Sequence, residues 1–194
     1  MRLQKTLVDE MLVYSFMIVL LTGAFLAFFY TPGERVIYDG SFAPLLGIEM
    51  SGAYASTLRL SFDVRGGLFM RHLHQWASLI FLVGIVLRAL LSRTLRQMLP
   101  GVALLGLGAL NLVVGYALTD DLYAGRIVGE LPIAWWYGAH LLLALVLASA
   151  LVLAWRRTGV QRPRVLSFVV ICLNLTLLAL FFPLNQIWLS GPSR

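Results

Sequence analysis

Five stretches of this chain stay apolar over about 20 residues, the length a helix needs to cross roughly 30 Å of hydrocarbon. They lie at about 10–30, 67–91, 99–118, 132–155 and 165–187, each bounded by glycine, proline or charge. Apolar runs of that length fold as helices in lipid, where each backbone N–H and C=O has to find its partner within the chain. The expectation is an all-α integral membrane helical bundle, a single membrane domain over residues 1–194: a four-helix core plus a fifth transmembrane helix. The 31–66 segment is the one long polar connection, and its Tyr54–Phe62 stretch reads as a short amphipathic helix lying in the interface.

Composition excludes the soluble alternatives. The chain is 60% hydrophobic and 12% charged, against about 25% charged in soluble domains. The first apolar run, Met11 to Phe29, follows a basic start, but it is long for a signal-peptide core and no small-residue cleavage pattern follows it. It reads as a membrane span. The net charge of +6 comes without basic clusters interleaved with aromatics, so nucleic acid is not an expected partner; membrane lipid is. Cys172 stands alone, which leaves no intramolecular disulfide, no CxxC metal pair and no CxxCH attachment for a covalent haem.

The basic residues sit at helix ends and set an orientation. Arg2 and Lys5 precede the first helix, Arg93 and Arg96 separate the second from the third, and Arg156, Arg157, Arg162 and Arg164 separate the fourth from the fifth. If every helix crosses, these fall on one side, which the positive-inside rule makes cytoplasmic, N-terminus included. The opposite connections carry Glu34, Asp39, Glu49, Asp63, Asp120, Asp121 and Glu130.

Two histidines stand at a similar depth on separate helices: His74 near the outer end of the second and His140 near the outer end of the fourth. Two imidazoles facing each other across a bundle are what a low-spin b haem needs as axial ligands. The plainer alternative is that each bonds a neighbouring carbonyl or lines a water pocket. His72 points about 200° round the helix from His74 and reads as interfacial. Gly23 and Gly115 fall at the depth of the two histidines, where a flat macrocycle needs close backbone approach, although each taken singly also suits ordinary helix packing. Gly101 lies 14 residues before Gly115 on the same face. Arg71, three residues before His74, is placed either to pair with a haem propionate or to snorkel to the interface. Arg88 either snorkels, the reading we favour, or pairs with an acid such as Asp9.

These residues resemble the N-terminal half of cytochrome b from quinol:cytochrome c reductases, most closely the actinobacterial form. The similar segments are YSFMIVLLTGAFLAFFYTP, YDGSFAPLLGIEMSGAYASTLRLSFDVRGGLFMRHLHQWAS, GYALTDDL and LNQIWLSGP, spread over almost the whole chain. In that family two haems lie in the four-helix bundle, each held by one histidine from the second helix and one from the fourth. For the outer haem the resemblance implies His74 and His140 as ligands, Gly23 and Gly115 as close-approach glycines, and Arg71 at a propionate. The inner site departs from the pattern: Arg88 stands where a second ligand is expected, Ala154 and Trp155 where its partner is expected, and Asp9 in place of a glycine, with Gly101 alone still fitting. The chain also ends before the family's C-terminal helices and their PEWY motif.

The expectation is therefore a bacterial cell-membrane, multi-pass subunit with one non-covalent haem b, iron held by His74 and His140. It would transfer electrons within a bc-type respiratory complex, not catalytic alone and without a Q cycle of its own. Other respiratory subunits, a quinone, and a homodimer or larger assembly are the partners this implies. The alternative is a non-catalytic accessory or assembly paralogue. A transporter is the weaker third reading, since beyond the haem-like set only Arg88, Asn111 and Asn174 place strongly polar groups inside spans.

Overall fold

The structure is a computed structural model that describes residues 2–92, 94–119 and 131–158. The fifth predicted helix, 165–187, and the acidic connection at 120–130 lie outside the described residues. In chain order the elements are α1 (Arg2–Phe29), β1 (Arg35–Ile37), a 3-10 turn (Ala43–Leu45), β2 (Glu49–Ser51), α2 (Gly52–Phe62), α3 (Gly67–Leu90), α4 (Leu95–Ala117) and α5 (Ile133–Thr158). Four of these are long and apolar enough to cross a membrane: Leu7–Phe29, Gly67–Leu90, Leu95–Ala117 and Ile133–Leu153. The chain is an all-α membrane helical bundle, with these four helices among the described residues.

Two helices start earlier than their apolar runs. The stretch before α1's apolar run holds good helix formers such as Gln4, Lys5 and Glu10 and no breaker, so the helix extends back to Arg2. At α4, Thr94 is extended (φ −134°, ψ 150°) and its carbonyl accepts from Gln97 N and Met98 N at 3.0 and 3.1 Å. Pro100 therefore sits inside the helix, in its second turn, rather than at its boundary, and it has no N–H to donate to the Arg96 carbonyl one turn back. The last helix runs on to Thr158 rather than stopping at about 155.

The helices alternate in direction and close a ring: α1 packs on α3, α3 on α4, α4 on α5, and α5 touches α1. One end of this bundle is capped by residues 31–66. There β1 pairs antiparallel with β2, with Val36 opposite Met50, over a small core of Tyr38, Met50, Ala55 and Leu58. Ion pairs Arg35–Glu49 and Arg59–Asp39 tie its outer surface.

Helix α2 is a helix as expected, but it does not present one broad face outward. Only Arg59 and Phe62 of its eleven residues are exposed. Its small side chains explain why. Ala53, Ala55, Ser56, Thr57 and Ser61 let it press closely against α3 and α1, and the hydroxyls bond carbonyls of their own helix, Ser56 to Ala53 at 2.9 Å and Ser61 to Thr57 at 2.7 Å. The corner into α3 is made by two glycines. Gly66 has φ +77°, and a Cβ on Gly67 would stand 1.8 Å from the Leu60 carbonyl oxygen.

Away from the cap, the bundle is filled with hydrocarbon. Leu12 and Phe16 of α1, Phe81 and Ile85 of α3, and Leu147 and Leu151 of α5 form one buried cluster, with the Phe16 and Phe81 rings 5.0 Å apart. Large apolar side chains such as Leu21, Phe28, Leu90 and Trp135 face outward. Such exposure is costly in water and costs nothing in lipid.

Candidate cofactor site

His74 is the eighth residue of α3 and His140 the eighth of α5, both entering from the cap end. The antiparallel ring brings them together at one level, with ring centres 6.5 Å apart and planes at 65°. A metal–imidazole nitrogen bond is about 2 Å, which puts two rings ligating one ion from opposite sides roughly 6 Å apart, centre to centre. The pair therefore has the spacing of two ligands with one atom between them.

Each ring is hung from the backbone of a neighbouring helix in the same way. His74 Nδ1 lies 3.1 Å from the Val19 carbonyl oxygen of α1, and His140 Nδ1 lies 3.1 Å from the Asn111 carbonyl oxygen of α4. A carbonyl can only accept, so in both rings Nδ1 carries the proton and donates it. This leaves both Nε2 lone pairs free, the tautomer an iron ligand requires.

Gly23 and Gly115 make these contacts possible. Val19 stands four residues before Gly23, and Asn111 four before Gly115. A helical side chain covers the turn N-terminal to its own Cα, so a residue larger than glycine would lie over that carbonyl. A Cβ on Gly23 would stand 3.0 Å from His74 Cε1, and a Cβ on Gly115 would stand 3.0 Å from His140 Cε1. Spacing in the sequence points to these glycines as close-approach positions; in the structure the group that each one meets is an imidazole.

Arg71 lies one turn nearer the cap than His74, and its Nη1 donates to Ser61 Oγ of α2 at 3.2 Å. His72 is half-buried and two residues from His74, about 200° round the helix, with Nδ1 buried and without a hydrogen-bond partner among the described residues. The other candidates cluster at the far end. Arg88 does not simply snorkel: its Nε donates to Asp9 of α1 in an ion pair whose side chains are about two-thirds buried, and its Nη1 approaches Ser92 Oγ. Gly101 meets Ala89, a Cβ there standing 3.4 Å from the alanine Cβ, an ordinary helix contact.

Thr22 was not singled out by sequence. Its Oγ1 lies 3.0 Å from His74 Nδ1, a contact foreshadowed only by its place beside Gly23.

No family model matches the chain. The cytochrome bc1 complex cytochrome b subunit of Corynebacterium diphtheriae is 39% identical over 158 residues, covering 77% of this chain and 27% of that protein. The subunits of the same name from Streptomyces coelicolor and Mycobacterium tuberculosis are 45% and 41% identical over 128 residues, each covering 61% of this chain. The chain is a homologue of actinobacterial cytochrome b. It spans about a quarter of the length of the curated relatives it matches, and the aligned share of the chain is narrower than the near-complete match its motifs imply.

Against that cytochrome b background, the contact between α1 and α3 repeats along the bundle with different residues. Gly23 meets His74 near the cap; fourteen residues further along each helix, away from the cap, Asp9 meets Arg88. Between the two contacts, Phe81 and Ile85 follow His74 by seven and eleven residues, and Leu147 and Leu151 follow His140 by the same intervals. Two and three turns of helix keep these on the histidine faces. Gly84 receives Leu12 there, and Gly108 receives Leu82. The faces that carry imidazole near the cap carry hydrocarbon below it and an ion pair at the end.

Proposed function

We propose that this chain holds one non-covalent haem b between His74 and His140, near the capped face, and serves as an electron-transfer subunit of a bc-type respiratory complex. The observation that carries this reading is the matched suspension of the two imidazoles, 6.5 Å apart, each with Nδ1 donating to a carbonyl and Nε2 left to ligate. Haem, when bound, supplies one-electron redox chemistry whose potential follows its axial ligands and their hydrogen bonds. The chain's own groups orient the ligands, exclude water and offer a guanidinium: Val19 and Asn111 fix the rings, Gly23 and Gly115 admit them, and Arg71 is placed one turn above His74 for a propionate.

The far end supports a count of one. Arg88 is paired to Asp9 and the interior between is occupied by side chains, so the donors and the space for a second haem are lacking among the described residues. An electron on the single haem has no second stepping stone across the membrane. The chain then shuttles electrons at the capped face, between a quinol or partner subunit and an acceptor, and runs no Q cycle by itself. The arginine distribution supports an extracytoplasmic capped face and a cytoplasmic N-terminus. A homodimer or larger assembly with other respiratory subunits completes the reading.

A pyridine haemochrome assay with a reduced-minus-oxidised spectrum tests it. One non-covalent haem b per chain is expected, lost in His74→Ala and in His140→Ala. A haem-free protein would overturn the electron-transfer reading and leave an accessory or assembly paralogue, which the filled far end favours; two haems per chain would overturn the count.

A further inference from the structure

The two histidines are anchored alike but not equally. Among the described residues, His140 Nδ1 has one acceptor, the Asn111 carbonyl. His74 Nδ1 has two, the Val19 carbonyl at 3.1 Å and Thr22 Oγ1 at 3.0 Å. The Thr22 hydroxyl spends its own proton on the Ile18 carbonyl at 2.7 Å, so toward the ring its oxygen can only accept. Thr22 is 4% exposed, which keeps water from competing. On α4 the equivalent position, one residue before the glycine, is Val114, 2% exposed and without a polar atom in its side chain.

Resting on the haem reading, we propose that Thr22 is a positioning residue that makes His74 the more electron-rich of the two ligands and lowers the midpoint potential of the haem. A second acceptor on Nδ1–H draws that proton from the ring and raises electron density at Nε2. A more basic ligand stabilises the ferric form over the ferrous form, so the potential falls. The burial of both partners strengthens the effect, because a hydrogen bond in low dielectric is electrostatically stronger than one in water. Nothing in the carbonyl anchoring itself distinguishes the two sides; the hydroxyl does.

The test is a redox titration of the haem band in three variants of the full chain, with ferric low-spin EPR spectra and haem content measured on each. Thr22→Val keeps the shape and removes the acceptor, and the midpoint should rise with haem content near that of the unaltered protein. Thr22→Ser keeps the hydroxyl and should restore the original midpoint and EPR signature. Val114→Thr places a hydroxyl beside His140 and should lower the midpoint. A loaded Thr22→Val protein with an unchanged midpoint would overturn the proposal. Should that variant fail to load, Val114→Thr decides, and an unchanged or raised midpoint overturns it. An unaltered protein without haem is a separate outcome, which overturns the haem reading rather than the role of Thr22.

Discussion

Asp9 and Arg88 meet across α1 and α3 in the same register as Gly23 and His74, fourteen residues, or about 21 Å, along each helix. Antiparallel helices that stay in phase repeat a contact in this way, and here one repeat presents an imidazole and the other an ion pair. The pair is about two-thirds buried, so each charge depends on the other more than a surface pair would. Arg88→Leu or Asp9→Leu alone should destabilise the protein by roughly 1–3 kcal/mol by breaking this half-buried pair, and the double variant should recover most of it. Thermal unfolding in detergent followed by circular dichroism measures this, and haem content should not change in any of the three.

Glycine substitution separates the ring contacts from ordinary packing. Gly23→Ala and Gly115→Ala put a Cβ 3.0 Å from an imidazole carbon, so each ring has to shift by a few tenths of an ångström. Haem retention should weaken by about 10–100-fold, the usual effect of disturbing an outer-shell support. Gly106 has nothing within 4 Å of a built Cβ; Gly106→Ala should leave haem unchanged and stabilise α4 by up to about 1 kcal/mol. Competition of bound haem with apomyoglobin reports all three.

Truncating the far core should cost stability and spare the cofactor. Phe81→Ala removes a ring that packs on Phe16 in the buried cluster and should lose about 3–5 kcal/mol, with Ile85→Ala losing about 2–5. Haem per folded chain should stay constant. A fall in haem content of folded protein in step with stability would show that this region lines the cofactor.

The cap hinges on the α2–α3 corner. A methyl group on Gly67 would overlap the Leu60 carbonyl oxygen at 1.8 Å, a backbone contact that no rotamer relieves. Gly67→Ala should cost about 3 kcal/mol and open residues 31–66 to limited proteolysis, with cleavage rate as the readout.

Much of this arrangement is legible from residue types and spacing, because membrane helices are long and their polar residues few. His74, His140, Gly23 and Gly115 stand out as a matched set, and the structure brings all four together. What spacing could not decide was which atoms meet. The glycines look like clearance for a macrocycle, and the contact visible in the structure is the approach of each imidazole to a carbonyl; backbone carbonyls carry no signature in sequence. Thr22 hides for the same reason, since a threonine in a membrane helix usually bonds its own backbone, as this one also does. Arg88 has two reasonable fates on a single helix; only the packing of α1 against α3 selects Asp9. Helix α2 misleads because alternating small and apolar residues suit both an interfacial helix and one pressed into a corner.

The hydrocarbon below the histidines also acts as the dielectric of a capacitor. Moving one charge across the whole membrane at 100 mV is worth about 2.3 kcal/mol. His74 is the eighth residue of the Gly67–Leu90 span, about 10 Å along a helix of about 36 Å, so a redox group seated there would sense the smaller share of that potential. Its equilibrium would follow the chemistry at the capped face more than the energisation of the membrane.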